Sequence, residues 1–192
     1  MLNRCDWCKG NALYEKYHDE EWGVPAYDDK TLFEFILLES FQAGLSWLTI
    51  LKKREGFREA FDDFDYQKIA AYQESDIQEL IQNPKIVRNQ LKIRAAVSNA
   101  QAFINIQKEY GSFSEYFWGF TNGKPIIHQY KALTEVPATT ELSDNISKSL
   151  KSNGFKFMGS TVVYAHMQAV GMVNDHLLDC FRHKDLTEKS TM

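Results

Sequence analysis

Residues 29–41 read DKTLFEFILLESF. The stretch opens on an acidic residue suited to a helix N-terminus and then turns apolar almost all round, the pattern of a helix buried on every side. A chain built on such a helix has to surround it. The run continues as FILLESFQAGLSWL over residues 35–48, and Glu39 is the only charge in those fourteen positions. Burying an unpaired carboxylate costs several kcal/mol, roughly 20 kcal/mol in the idealised Born limit. Glu39 is therefore expected either to have an ordinary partner, such as a nearby lysine or arginine, or to be kept for something that arrives later.

The 192 residues suffice for one domain with a sizeable core. The composition is globular, 44% hydrophobic and 25% charged, with a high aromatic share of 14%. No signal-peptide pattern and no apolar run near ~20 residues is present, so a soluble, cytoplasmic protein is expected, working as a monomer and away from membranes. A net charge of −4 excludes a wholly basic nucleic-acid binder but not a local basic surface. Lys52, Lys53 and Arg54 form one basic cluster, Lys85, Arg88, Lys92 and Arg94 a second, and Lys148, Lys151 and Lys156 a third. Each also reads as an ordinary solvated helix face.

Helical signals dominate the chain, and little or no sheet is expected. Gly44 breaks the first pattern, and Ser46 can cap a helix running to about Glu55. Asp65 and Ser75 precede short periodic stretches. Residues 91–109 carry Ile93, Val97, Ala100, Phe103, Ile104 and Gln107 at helical spacing. Residues 112–120 are aromatic-rich, and 121–142 read as a loop. Ser143 and Ser160 are the predicted caps of two further helices. Residues from 184 to 192 lack apolar periodicity and are expected to form a disordered tail, leaving residues 1–183 as a single helical domain.

Between the last two predicted helices stands NGFKFMGST, residues 153–161. Gly154 can take a left-handed C-cap conformation, and Gly159 permits close approach of a backbone. The second helix then begins with unpaired amides and a positive dipole end, a natural phosphate site. This is the pattern of a helix–hairpin–helix spanning about residues 144–171, which holds one DNA strand through backbone contacts. A plain helical turn would carry the same glycines.

Cys5, Cys8 and Cys180 are the three cysteines, a poor disulfide framework. His176 and Cys180 lie four apart and would share one face of a helix. With Cys5 and His18 they could complete a closed, structural zinc site joining the chain ends. Cys8, which forms a CxxC with Cys5, is a rival ligand, and core thiols without metal are the plain alternative. His166 reads as a hydrogen-bonded core residue, and His128 and His183 as peripheral.

Trp7, Tyr14, Tyr17 and Trp22 crowd into residues 5–25, CDWCKGNALYEKYHDEEWGVP, and Trp47 follows soon after Glu39. Such a cluster is usually core. Beside a buried carboxylate it also suits a flat, cationic ring, because stacking contributes roughly 1–3 kcal/mol per base with a cation–π term added.

The series YHDEEWGVP, LESFQAGLSWLTILKKRE, GFKFMGST and MQAVGMVNDH, in that order, resembles the 3-methyladenine DNA glycosylase I family over about residues 4–182. The resemblance implies an all-α helix–hairpin–helix glycosylase fold with a zinc-stapled N-/C-terminal subdomain. It implies structural Zn²⁺ on Cys5, His18, His176 and Cys180. It implies a pocket in which Glu39 and Tyr17 hydrogen-bond the excised base, Trp47 stacks on it, and Trp7 and Trp22 form walls. The partner would be double-stranded alkylated DNA, gripped by Gly154, Phe155, Lys156, Gly159 and Ser160. The reaction would be hydrolysis of the N-glycosidic bond by base flipping, with free 3-methyladenine as product. No lysine stands out as a Schiff-base nucleophile, so a monofunctional enzyme is expected. Asp175 is the nearest candidate for an acid that steadies the sugar cation or activates water, but it adjoins His176 and is left unassigned. The rivals are a non-catalytic module that binds damaged DNA or a modified purine, and a metallohydrolase using Glu39 as general base.

Overall fold

The buried helix predicted from residues 29–41 is α2, Asp29–Gln42, in a computed structural model that describes residues 2–42 and 44–190, without the side chains of 189 and 190. Every residue from Leu32 to Phe41 is buried. Asp28 caps its start by accepting from the amide of Thr31 at 2.8 Å. The helix is covered by α3 (Trp47–Ala60), α6 (Gln90–Tyr110), α7 (Phe113–Gly119) and α9 (Ser160–Ala169). Burying side chains such as Phe33, Leu37 and Phe41 contributes about 1.5–3 kcal/mol each. The remaining helices are α1 (Ala12–Glu20), α4 (Tyr66–Ala70), α5 (Glu74–Gln82), α8 (Glu141–Ser152) and α10 (Phe181–Ser190). None of the described helices is long and apolar enough to cross a membrane.

Two features differ from the expected element ends. The cap of α8 is Thr140, not Ser143. The two form a reciprocal capping box, with Ser143 three residues inside the helix returning a bond to the Thr140 amide. Gly159 precedes α9, and Ser160 is its first residue. The Ser160 hydroxyl lies 2.7 Å from that of Ser143, tying the two helices instead of capping one. Ser46 does cap α3, which runs past Glu55 to Ala60.

Two 2-residue strands pair in parallel, β1 (Ile126–Ile127) with β2 (Val173–Asn174). They fasten the 121–142 segment beside the chain that leaves α9. That chain turns at Gly171, with φ +70°, where a Cβ would stand 2.4 Å from the backbone of Val24 and Pro25. The close crossing sets residues 173–177 against the N-terminal segment. Of the expected disordered tail, residues 184–190 instead belong to helix α10, anchored by buried Leu186, and residues 191–192 lie outside the described residues.

Candidate active site and candidate metal centre

A cavity of about 220 Å³ opens between α1, α2, the start of α3 and α9. Tyr14 and Tyr17 from α1, Glu39 and Gln42 from α2, Trp47 from α3, and Trp7 and Trp22 line it. Tyr14 precedes Tyr17 by three positions, and Gln42 follows Glu39 by three. Each pair therefore shares a helix face, and that spacing could have found Tyr14 and Gln42 from the sequence. Leu133 and Val136 also line the cavity. They come from the 121–142 segment read as a loop, whose short apolar pieces give no periodic signal for them.

Glu39 is 3% exposed and makes no hydrogen bond or ion pair within the described structure. Arg54, which acts on neighbouring Tyr17, is committed to Glu34 at 2.7 Å and Glu21 at 2.6 Å. Tyr17 and Glu39 are not bonded to each other, although Glu39 acts on Tyr17 electrostatically. Burial alone pushes the Glu39 carboxyl up to about 8. The Tyr17 hydroxyl, also without a partner, is raised well above its ordinary value by burial and then by Glu39. Two uncommitted polar groups thus sit on the wall of an aromatic cavity. The Trp47 ring lies 5.6 Å from that of Tyr17, and Trp7 sits 4.9 Å from Tyr14 and 5.0 Å from Trp22.

The Trp22 ring also packs edge-on against His176 at 4.5 Å, which joins the cavity to a second cluster. Cys5, His18, His176 and Cys180 are all buried, with donor atoms within 4.8 Å of one another. His18 Nε2 stands 3.2 Å from His176 Nδ1 and 3.4 Å from Cys180 Sγ, and Cys5 Sγ lies 3.8 Å from His176 Nδ1. The far ring nitrogens are oriented by Asp19 at 2.8 Å and by the Trp22 carbonyl at 3.0 Å, the arrangement that presents a chosen nitrogen to a metal. These four residues could hold a metal ion. Cys8 turns away from them, its thiol donating to the Cys5 carbonyl at 3.1 Å, and burial pushes it up to about 11. His176 and Cys180 do not share a helix. A turn at Leu178–Asp179 brings them together, with a backbone bond from Cys180 to the Leu177 carbonyl at 2.8 Å.

Asp175 lines the cavity with its carboxylate fully engaged, by Tyr164 at 2.6 Å, Gln168 at 2.8 Å and His128 at 2.6 Å. His128 is thus not peripheral. Nor is His183, which is buried and bonds the His128 carbonyl at 2.8 Å. His166 is fully buried with neither ring nitrogen bonded, contrary to expectation, and packs edge-on to Phe117 at 5.1 Å. Burial lowers it to about 3, so it is a neutral core ring. Lys92 is buried too, its ammonium donating to the Phe41 carbonyl at 2.8 Å near the end of α2, not solvated with its cluster.

The hairpin between α8 and α9 is pinned from inside. Gly154, at φ +93°, donates to the Lys151 carbonyl, and Phe155, which is buried, donates to that of Leu150, each at 3.0 Å. Buried Asn99 of α6 clamps Lys156 on both sides, accepting from its amide at 2.8 Å and donating to its carbonyl at 3.0 Å. The amides of residues 154–156 are therefore committed to the fold. The first-turn amides of α9, at Ser160 and Thr161, have no intrahelical partner, and Lys156, four residues before Ser160, is exposed.

The family model described as methyladenine glycosylase matches residues 7–183. DNA-3-methyladenine glycosylase 1 of Escherichia coli (strain K12) is 48% identical over 179 residues, 93% of this chain and 96% of the relative. A crystal structure of 3-methyladenine DNA glycosylase I superposes with a TM-score of 0.91 at 49% identity, covering 93% of this chain and 98% of that one. The 3-methyladenine DNA glycosylase I of Staphylococcus aureus, whose structure describes 3-methyladenine recognition, does so with a TM-score of 0.91 at 42% identity, covering 94% and 96%.

Proposed function

The chain belongs to the methyladenine glycosylase family, and we propose that it excises 3-methyladenine from double-stranded DNA by flipping the damaged nucleotide into the aromatic cavity. The observation that carries this reading is Glu39, buried, without a partner, and facing that cavity. Methylation at N3 makes the purine in DNA a cation. At pH 7, ionising a carboxyl whose pKa burial has moved to about 8 costs about 1.4 kcal/mol. A cationic ring about 4 Å away returns about 4 kcal/mol at an effective dielectric near 20. The carboxyl therefore ionises as the methylated base seats. Normal adenine brings no charge, so Glu39 keeps its proton and normal adenine gains only a neutral hydrogen bond. Tyr17 supplies the second polar contact, and Trp47 the stacking face.

The C1′–N9 bond then breaks with its electron pair moving onto the ring, which discharges the cation and releases neutral 3-methyladenine. Water adds to C1′ and gives up one proton. The Glu39 carboxyl, with no cation to hold it ionised, takes one up. No base protonation is required. Among the described residues no lysine lines the cavity, which supports a monofunctional hydrolase without strand cleavage.

The closed set of two thiols and two imidazoles supports structural Zn²⁺, which would supply folding free energy and hold Trp22 and Trp7 in the cavity wall. The DNA strand would be held by the α9 N-terminus at Gly159 and Ser160 together with Lys156, while Gly154 and Phe155 shape the hairpin from within. One chain provides cavity, cluster and hairpin, which supports a monomeric working unit. Free thiols and a chromosomal substrate support a cytoplasmic location. The test is release of 3-methyladenine from methylated duplex DNA. Binding without release would overturn the enzymatic reading.

A further inference from the structure

Among the described residues, five non-glycine residues have positive φ: Asp62, Asp63, Phe64, Asn122 and Phe157. Asp62 to Phe64 form one left-handed turn, fastened by Tyr72 on Asp62 and by Lys30 and Arg58 on Asp63, and the Phe64 ring is buried in the core. Asn122 is of a type that tolerates this region. Phe157 has neither excuse. Its φ is +57°, in a well that Cβ sterics disfavour for a bulky residue, and its ring is 39% exposed. Its neighbours Phe155 and Met158 do the packing, at 3% and 0% exposure. Strain persists only where the surroundings over-determine it. Here Asn99 fixes both backbone groups of Lys156, and the Ser147 hydroxyl donates to the Met158 carbonyl at 2.7 Å, so the backbone is fixed on both sides of the strained residue.

A glycine at this position would take the same conformation without strain. The residue is far more exposed than either packing neighbour, so a use outside the fold accounts for keeping a bulky ring in this conformation. It stands between exposed Lys156 and the start of α9, on the same tip that offers amides and a cation to a backbone phosphate. In a DNA strand the group next to each phosphate is a deoxyribose, whose C–H face is apolar.

We propose that Phe157 is a DNA-contacting residue whose ring packs on a deoxyribose of the strand held by the hairpin. This rests on the reading of the chain as a glycosylase acting on duplex DNA. The contact adds an apolar component to a grip that is otherwise electrostatic, and it sets the register of the hairpin along the strand.

The test compares wild type with Phe157→Gly and Phe157→Leu, using fluorescence anisotropy on a duplex containing a tetrahydrofuran abasic-site analogue. Phe157→Gly is expected to bind about 10-fold more weakly with an unchanged slope of log Kd against log salt, because an apolar contact releases no counterions. Its Tm should rise by about 2–4 °C as the strain is relieved. Its affinity for free 3-methyladenine, read by calorimetry, should be unchanged. Phe157→Leu should fall between the two. Wild-type duplex affinity in Phe157→Gly would overturn the proposal. So would a fall in Tm together with loss of free-base binding, which would mark the ring as structural. A wild-type protein that neither binds the duplex nor releases base would instead overturn the glycosylase reading, and this proposal with it.

Discussion

Replacing Glu39 by glutamine should make the protein more stable and far less active, with a pH signature that identifies the cause. The folded carboxyl has its pKa raised from 4.5 to about 8, so the native state binds that proton more tightly than the unfolded chain does. Wild-type stability from this group is fully present below about pH 4.5 and is lost as pH rises through about 8. Integrating that linkage, the wild type forfeits about 1 kcal/mol at pH 5, about 3 at pH 7 and about 5 at pH 9. Glutamine carries no titrating group, and whatever fixed cost its buried amide brings does not change with pH. The stability difference between Glu39→Gln and wild type should therefore grow by about 4 kcal/mol from pH 5 to pH 9 in urea unfolding. Excision should move the other way. Losing a pairing worth about 4 kcal/mol, against an ionisation cost of about 1.4, predicts a drop of about 100-fold in kcat/KM at pH 7. The wild-type kcat/KM should climb with pH and flatten near 8. A stability difference that stays flat with pH would refute the reasoning, because it would mean that the carboxyl is not held against its charge.

Trp47→Ala should weaken capture of 3-methyladenine by about 1–3 kcal/mol, or roughly 5- to 150-fold, read as free-base Kd by calorimetry. Cys180→Ser and His176→Ala should lose bound metal and Tm together, whereas Cys8→Ser should leave the metal content unchanged, measured by elemental analysis alongside melting curves. Gly171→Ala should destabilise by more than about 1 kcal/mol from its positive φ alone, with the clash against Val24 and Pro25 added, as seen in urea unfolding.

The sequence made the central helix legible because ten consecutive buried positions leave no polar face to misread. The four candidate metal ligands could be named from residue type, with Cys8 a rival that the structure turns away from the cluster. His176 and Cys180 meet across a turn, and helical spacing gave the right pair for the wrong reason. The caps at Thr140 and Gly159 were missed because a serine inside the first turn carries the same local chemistry as one before it, and only the tertiary bond between Ser143 and Ser160 distinguishes them. Helix α10 was missed because Leu186 is its one buried apolar residue among those described, and a single apolar position gives no period. The commitments of Lys92, His128 and Asp175 are all to residues distant in the chain, and no local pattern encodes them. What the sequence did flag, a carboxylate among apolar neighbours, is one of the buried groups that the described fold leaves without a partner.

The cluster of Cys5, His18, His176 and Cys180 draws its members from the first and last tenths of the chain. During synthesis the N-terminal pair emerges from the ribosome long before its counterpart exists. The two tryptophans that the cluster steadies cannot settle until translation is nearly over. Premature termination between the end of α9 and Cys180 would then leave a chain with its central helix covered but no finished recess for a base, so such truncated copies should be unable to sequester damaged DNA from the complete enzyme.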